Sequence, residues 1–214
     1  MKNVILTGSS GGIGSAITRR LEGNGFNILP VSSRLENLQS LESEVKNILS
    51  ANKLDVLINC AGFGVFRPHE EISPDDVKRI VDVNLTAPLV LTGLCLRALK
   101  VSGGSIINIS SIEATRHSKF SALYTATKSG LRDFSLSLFE EVRKSGVRVT
   151  SINPDITNTH FFDSLSFGPG EEEFSFLNPD DVADAVYTVL QGEGVITDLT
   201  IRPQRAGVTK KPRR

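Results

Sequence analysis

Val4-Ile5-Leu6-Thr7-Gly8-Ser9-Ser10-Gly11-Gly12-Ile13-Gly14 passes from apolar strand to glycine turn to helix within eleven residues. Glycines at 8, 12 and 14 remove the Cβ atoms that keep a backbone from turning sharply and touching a pyrophosphate. The helix that follows points its unpaired N–H groups and the positive end of its dipole at the same place. A phosphate belongs at that turn, against Ser9, Ser10 and Ile13 as well as the glycines. The letters fit two patterns, Thr-Gly-x-x-x-Gly-x-Gly through Gly12 and Thr-Gly-x-x-Gly-x-x-Gly through Gly11. Neither is the common dinucleotide fingerprint GxGxxG.

Outward from this turn, composition narrows the class. A chain of 214 residues, 39% apolar and 22% charged, fits one globular domain burying about 70% of its unfolded surface. Lys plus Arg and Asp plus Glu stand at 24 each, so no overall field draws nucleic acid or an anionic membrane. The end, Lys210-Lys211-Pro212-Arg213-Arg214, reads as a solvated basic tail from residue 208. Cys60 and Cys95 form neither a disulfide framework nor a metal cluster and fit a reducing cytoplasm. His69 and His160 have no metal-ligand company. The amino terminus lacks a signal-peptide core, and no run approaches membrane-spanning length. The expectation is a soluble cytoplasmic protein.

Ala16, Ile17 and Leu21 continue a helical stripe up to Gly23-Asn24-Gly25, and Phe26 to Ser33 reads as a second strand. In nicotinamide-binding folds a carboxylate at the end of this strand holds the adenosine ribose. Here stand Ser32, Ser33 and Arg34, hydroxyls and a guanidinium suited to the 2′-phosphate that distinguishes NADP from NAD. Between Arg34 and Asp55 lie only twenty residues. Leu41, Val45, Ile48 and Leu49 support one amphipathic helix there, while Leu35 to Ser40 reads as either a short edge strand or a connector.

Leu54-Asp55-Val56-Leu57-Ile58-Asn59-Cys60-Ala61-Gly62 is an apolar run ending in small residues, as a buried parallel strand opening on a ligand crevice should be. Asn59 suits a sheet-end amide that satisfies buried backbone. Ser73-Pro74-Asp75-Asp76 starts a helix that runs through Asn84 to Leu89. Pro88, lacking an N–H, leaves the Asn84 carbonyl free within it. Ser105 to Ser111 is a strand ending in hydroxyls, and thirteen residues beyond Ser111 stands Tyr124, with Lys128 four later. Tyr-x-x-x-Lys puts phenol and ammonium on one helical face. A phenol titrates near pH 10 in water, so only about a thousandth is ionised at neutrality. It needs a neighbouring cation to exchange protons with an alcohol or carbonyl.

The opening glycines, Asn59-Cys60-Ala61-Gly62, Asn84, Ser111 and Tyr124-x-x-x-Lys128, in this order, resemble the classical short-chain dehydrogenase/reductase family over residues 1 to about 160. The resemblance implies that Tyr124 is the general acid/base, that Ser111 holds the substrate oxygen, and that Lys128 lowers the tyrosine's pKa while gripping the nicotinamide ribose. It implies that Asn84 supports Lys128 through a water on its main-chain carbonyl. Ala61 and Gly62 would let backbone approach the cofactor. Asn153-Pro154-Asp155-Ile156-Thr157-Asn158-Thr159 stands where the family has Pro-Gly-x-x-x-Thr, so Pro154, Ile156 and Thr159 would meet the cofactor, with Asp155 in place of the glycine. An even-numbered oligomer, a homodimer or homotetramer, would form through the helices bearing Asn84 and Tyr124.

The expectation is therefore an α/β fold: a single-domain, doubly wound, Rossmann-type parallel sheet of six or seven strands in the order 3-2-1-4-5-6-7, helices on both faces, abbreviated around the third strand. The domain would span residues 1–207, with 155–178 as a substrate lid rich in Phe, Ser, Gly and Glu. Glu113, Arg116 and His117 read either as walls of a pocket for a polar or anionic substrate or as a solvated loop. The implied activity is NADP-dependent hydride transfer between the nicotinamide and a small-molecule carbonyl or secondary alcohol. A non-catalytic NADP-binding sensor is the alternative, one with no need of Ser111, Tyr124 and Lys128 together.

Overall fold

A computed structural model describes residues 1–205 and 207–211. Six strands form one parallel sheet: β1 (Lys2–Thr7), β2 (Phe26–Val31), β3 (Val56–Asn59), β4 (Ser105–Ile109), β5 (Arg148–Pro154) and, further along the chain, a strand at Asp198–Ile201. Helix α1 (Gly12–Glu22) and a helix at Pro179–Gln191 cover one face; α2 (Leu38–Ala51), the helix at Ala87–Ser102 and that at Ala122–Val142 cover the other. Strand periodicity makes the two layers. Val4, Leu6, Val56, Ile58, Ile107, Ile109 and Ile152 face the first pair of helices, while Ile5, Leu57, Ile106 and Val149 face the second group.

In chain order the remaining elements are α3 (Pro74–Val81), α4 (Ala87–Ser102), α5 (Ala122–Val142), β6 (Phe167–Pro169), α6 (Pro179–Gln191), β7 (Asp198–Ile201) and β8 (Val208–Lys210). The sheet order is β2-β1-β3-β4-β5-β7. The expected third strand is absent. Residues 35–37 are a connector, Asn37 caps α2 by accepting from the Ser40 N–H at 3.1 Å, and the chain then returns directly to β3. Strand β2 is therefore an edge, and Pro30 is accommodated there because β2 pairs on one side only, with β1. Successive connections leave β1 in opposite directions, so a crevice opens at the carboxyl ends of β1 and β3.

Helices α3 and α4 are joined without a break by a π-helical turn, Asp82–Thr86, which carries Asn84. Ser73 caps α3, Pro88 lies in the first turn of α4, and the continuous helix spans 29 residues. Contrary to the expectation that no run reaches spanning length, an 18-residue window of this helix has a mean hydropathy of 1.4. Its apolar side chains Ile80, Ala87, Leu91, Cys95 and Leu99 are buried within the fold. Helix α6 opens with a reciprocal cap, Asp181 accepting from the Asn178 N–H at 2.7 Å.

Residues 208–211 are not a free tail. Strand β8 pairs antiparallel with β6, and the Lys211 N–H donates to the Ser166 carbonyl at 2.8 Å. Three residues, Val-Thr-Lys, suffice because β6 offers an otherwise unpaired edge among the described residues; Pro212, Arg213 and Arg214 lie outside them.

At Gly14 a Cβ would sit 1.9 Å from the Gly8 carbonyl oxygen, whereas one at Gly93, on the open face of α4, would meet nothing within 4 Å. Gly14→Ala should lower stability by about 2 kcal/mol or more through forced backbone displacement. Gly93→Ala should raise it by about 1 kcal/mol through helix propensity. Urea unfolding of the two variants against the parent checks both signs.

Candidate active site

The glycine turn closes as its spacing requires. Gly8 has φ +70, and its N-terminal neighbour Thr7 accepts from the N–H groups of Cys60 and Ala61 at 3.0 and 3.1 Å, joining the ends of β1 and β3. A Cβ on Gly8 would come 2.8 Å from the Ala61 Cα, and one on Gly12 would come 2.5 Å from the Thr159 methyl. Three segments far apart in sequence thus meet, Gly8 against the Ala61 backbone and Gly12 against the Thr159 side chain. The cap position of α1, Gly11, offers no side-chain hydrogen bond, so the first-turn N–H groups beyond it are not capped by that residue. That is a cradle for an anion.

At the end of β2 the structure supplies a group that the sequence order conceals. Glu44, from α2, accepts from the Ser32 and Ser33 N–H groups at 2.8 Å each. These bonds hold its carboxyl below the usual range, against the opposing effect of partial burial, which is the largest single influence. A carboxylate therefore does stand beside this strand end, brought from eleven residues downstream of Ser33. It is legible only once α2 is folded back over β2. Ser33 lies in a shallow groove with Glu44, whereas the exposed Arg34 lines a neighbouring groove with Glu36 and Asp75 and makes no ion pair among the described residues.

Behind the cradle, a chain of buried polar groups fixes the helices on the sheet. Asn59 Nδ2 donates to Asn108 Oδ1 at 2.8 Å, Asn108 Nδ2 to Ser135 Oγ at 2.8 Å, and Ser135 Oγ to the Leu131 carbonyl at 2.6 Å. Asn59 thus ties β3 through β4 to α5. Asn84 is fully buried; its side chain donates to the Phe63 carbonyl at 2.8 Å and accepts from the Phe63 N–H at 3.1 Å, clamping the turn after β3. It also donates to Thr127 of α5 at 3.3 Å. A Cβ on Gly62 would lie 3.1 Å from Asn84 Oδ1 and 3.2 Å from Lys128 Nζ, so Gly62, Asn84 and Lys128 converge on one point.

Ser111, Tyr124 and Lys128 are all buried. Lys128 Nζ donates to the Ile109 carbonyl at 2.9 Å and stands 5.9 Å from the centre of the Tyr124 ring. Burial lowers its pKa to about 8, partly offset by Cys60. Burial pushes the Tyr124 phenol up to about 12, opposed by a hydrogen bond with Ser111 and reinforced by the charge of Glu113. In this geometry desolvation governs the phenol, and no lowering by Lys128 is displayed. Ser111 Oγ accepts from the Glu113 N–H at 3.2 Å, which leaves its own proton free to donate.

These groups open into a cavity of about 340 Å³ lined by Ile13, Ser111, Tyr124, Pro154, Ile156 and Thr159 on the cradle side and by Phe66, Phe161, Phe162, Phe167 and Val208 on the other. The aromatic rings pack edge to face, with Phe66 and Phe167 centred 5.1 Å apart. Asp155 does not point at the cradle: it bonds the Ile156 N–H at 2.9 Å and Arg202 at 3.0 Å.

Residues 45–168, more than half of the sequence, match the profile of the short chain dehydrogenase family. The chain belongs to that family. It is 29% identical over 227 aligned positions to an uncharacterized oxidoreductase of Staphylococcus epidermidis, covering 94% of this chain and 97% of that protein. A relative from Staphylococcus haemolyticus is also 29% identical, covering 93% and 96%. Among solved structures, an alcohol dehydrogenase of Thermococcus sibiricus complexed with 5-hydroxy-NADP superposes with a TM-score of 0.86 at 25% identity, over 95% of this chain and 97% of that one. A 3-ketoacyl-(acyl-carrier-protein) reductase of Brucella melitensis complexed with NADH shares the fold, with a TM-score of 0.80 at 24% identity over 94% and 96%.

As a short-chain dehydrogenase this chain brings Gly8, Gly12, Gly14, Ala61, Gly62, Thr159 and the Ser111-Tyr124-Lys128 group to one end of its sheet, while Ser33 and Arg34 stand apart at the β2 end. The sequence reading missed Glu44 as a ligand of the β2 turn, Val208 as a cavity wall and Phe66 as part of the aromatic face. Helical periodicity placed Glu44 on α2 but could not tell which strand end α2 would meet.

The depressed Lys128 pKa has a sign that can be tested. Between about pH 8 and 10.5 the folded protein has shed a proton that the unfolded chain still holds, so unfolding takes one up and stability rises with pH. Lys128→Met should be the more stable protein at pH 7, with its advantage shrinking by on the order of 1 kcal/mol per pH unit above pH 8. Urea titrations of both proteins at pH 7, 8, 9 and 10 measure the difference, in which the buried thiols and Tyr124 largely cancel.

Proposed function

We propose that this short-chain dehydrogenase is an NADP-dependent oxidoreductase acting on a carbonyl or its secondary alcohol, with Tyr124 as general acid/base. The observation that carries the reading is the cavity that Ser111 and Tyr124 line together with Ile13 of the glycine-turn stretch, with Lys128 Nζ 5.9 Å from the centre of the Tyr124 ring. The residues present fit a nicotinamide dinucleotide. Space that a Cβ would fill at Gly8, Gly12 and Gly14 is left to backbone, and the amino end of α1 offers N–H donors for a pyrophosphate. When bound, the nicotinamide supplies or accepts the hydride.

The chain's own residues do the remaining work. Ser111, held as an acceptor by the Glu113 N–H, donates to the substrate oxygen and orients it toward Tyr124. A phenol kept near pKa 12 carries its proton at neutrality, which favours the role of acid in carbonyl reduction. Lys128 provides an ammonium behind the phenol and for the nicotinamide ribose. Asn84 holds the turn after β3 against α5, so that Gly62 and Lys128 keep their spacing. The aromatic wall excludes water from the reacting atoms.

For the cofactor's adenine half, Ser33 and the unpaired Arg34 favour the 2′-phosphate of NADP. Glu44 favours a second reading. A carboxylate bound to the Ser32 and Ser33 N–H groups is placed to accept from a ribose hydroxyl and to repel a phosphate, as NAD binding requires. The two free cysteines support a cytoplasmic setting. Half-buried Leu94, Leu96 and Ala98 with the exposed Val101 on α4 support pairing of subunits through α4 and α5 into a homodimer or homotetramer.

Fluorescence titration with NADPH and NADH decides the cofactor. The expected result is tighter NADPH binding, weakened at least tenfold by Arg34→Ala and strengthened by Glu44→Gln; an NADH preference that Glu44→Gln erases would establish the second reading. Turnover over a panel of ketones and secondary alcohols should fall about 10³-fold in Tyr124→Phe with cofactor affinity kept. Binding of NADPH with no consumption by the parent across the panel would instead mark a sensor.

A further inference from the structure

Glu113 is 7% exposed, lines the cavity, and uses only half of its carboxylate. Its Oε1 accepts from Arg116 Nε at 3.0 Å and from Ser118 Oγ at 2.8 Å, while its Oε2, also buried, has no hydrogen-bond partner among the described residues. An unpartnered buried oxygen on a charged group is costly, and structures keep one where a ligand completes it. The carboxylate lies close to the chemistry. Its own N–H is bonded to Ser111 Oγ, and its charge acts on the Tyr124 phenol.

The second carboxylate at this mouth, unlike Glu113, is fully engaged, while Lys119 makes no ion pair among the described residues. Asp155 takes Arg202 at 3.0 Å, Arg116 at 3.4 Å and the Ile156 N–H at 2.9 Å; Arg116 thus bridges the two carboxylates. Lys119 lies over the Phe120 ring, 4.8 Å from its centre. What Glu113 Oε2 itself lacks is a donor, and an anionic group placed against that oxygen would bring it a second unpaired acceptor. The opposite side is aromatic, formed by Phe66, Phe161, Phe162 and Phe167.

Resting on the oxidoreductase reading above, we propose that Glu113 is a substrate-specificity residue: it selects substrates that carry a hydrogen-bond donor, a hydroxyl or an ammonium, close to the reacting carbon, with an apolar or aromatic remainder set against the phenylalanine wall. A vicinal diol or hydroxyketone, or the corresponding amino alcohol, has this shape. A site built around a missing donor rejects the analogue that lacks one more strongly than an apolar pocket rejects a change of one methylene. Compounds with an acid at the same position are excluded by the free carboxylate oxygen.

The test uses four matched probes, 1-phenylethane-1,2-diol, 2-amino-1-phenylethanol, 2-methoxy-1-phenylethanol and 1-phenylethanol, titrated calorimetrically into the full chain with and without oxidised cofactor and then assayed for turnover. The expected result is at least tenfold tighter binding of the diol or the amino alcohol than of the ether and the simple alcohol. Comparison of the first two shows whether a neutral or a charged donor is taken. Glu113→Leu should bring all four within about threefold; Glu113→Gln, whose oxygen is kept by Arg116 and Ser118 so that its amide NH2 replaces Oε2, should lose the preference of the diol and the amino alcohol over the ether. Equal binding of the four by the parent, no binding of any, or a donor preference that survives Glu113→Leu overturns the inference. Donor-selective binding without turnover keeps the inference and removes the oxidoreductase reading, whereas turnover of all four without selectivity does the reverse.

Discussion

The close approach of three chain segments at the carboxyl edge of the sheet is the constraint from which the rest follows. Gly8 touches Ala61, Gly12 touches Thr159, and the Thr7 hydroxyl ties the N–H groups of Cys60 and Ala61 to the end of β1. None of these contacts survives a Cβ on the glycines, and each joins a turn that follows a different strand. Parallel strands force that arrangement, because all their carboxyl ends lie on one edge and all their outgoing turns compete for the same space. The cavity exists where the turns after β4 and β5 draw back from this contact, and the side chains of Ser111, Tyr124 and Pro154 border it.

Burial then decides the chemistry of the groups placed there. Desolvation moves Tyr124 up and Lys128 down, to about 12 and about 8, so the two pKa values move apart. A protonated phenol poised for reduction and an ammonium poised to release its proton near neutrality are consequences of a dry site rather than of direct pairing. The charge of Glu113 raises the phenol further.

The absence of a strand outside β2 shapes one margin of the sheet. With a single helix between β2 and β3, β2 becomes the sheet edge and α2 is free to present Glu44 to the β2 turn. Away from that margin, β8 pairs with β6 and contributes Val208 to the cavity wall. Ser111, just beyond β4, and Tyr124 and Lys128 on α5 stand at the middle of the sheet, where the Asn59-Asn108-Ser135 chain ties β3 and β4 to α5.

Much of this was legible from local pattern alone. The strand-glycine-helix opening, the Tyr124-x-x-x-Lys128 spacing, the Ser73-Pro74 helix start and the apolar runs at 54–58 and 105–109 determine the parallel α/β class and the family, because each depends on neighbours within one turn or one strand. Those are short-range constraints, and sequence carries them directly. Only the tertiary structure decided that no strand follows β2, that Glu44 reaches the Ser32 and Ser33 N–H groups, that β8 finds β6, and that Glu113 keeps one oxygen unpaired. Each of these depends on which distant segment fills a vacant edge or leaves a donor missing, and that is set by packing across the whole sheet rather than by any stretch of the chain.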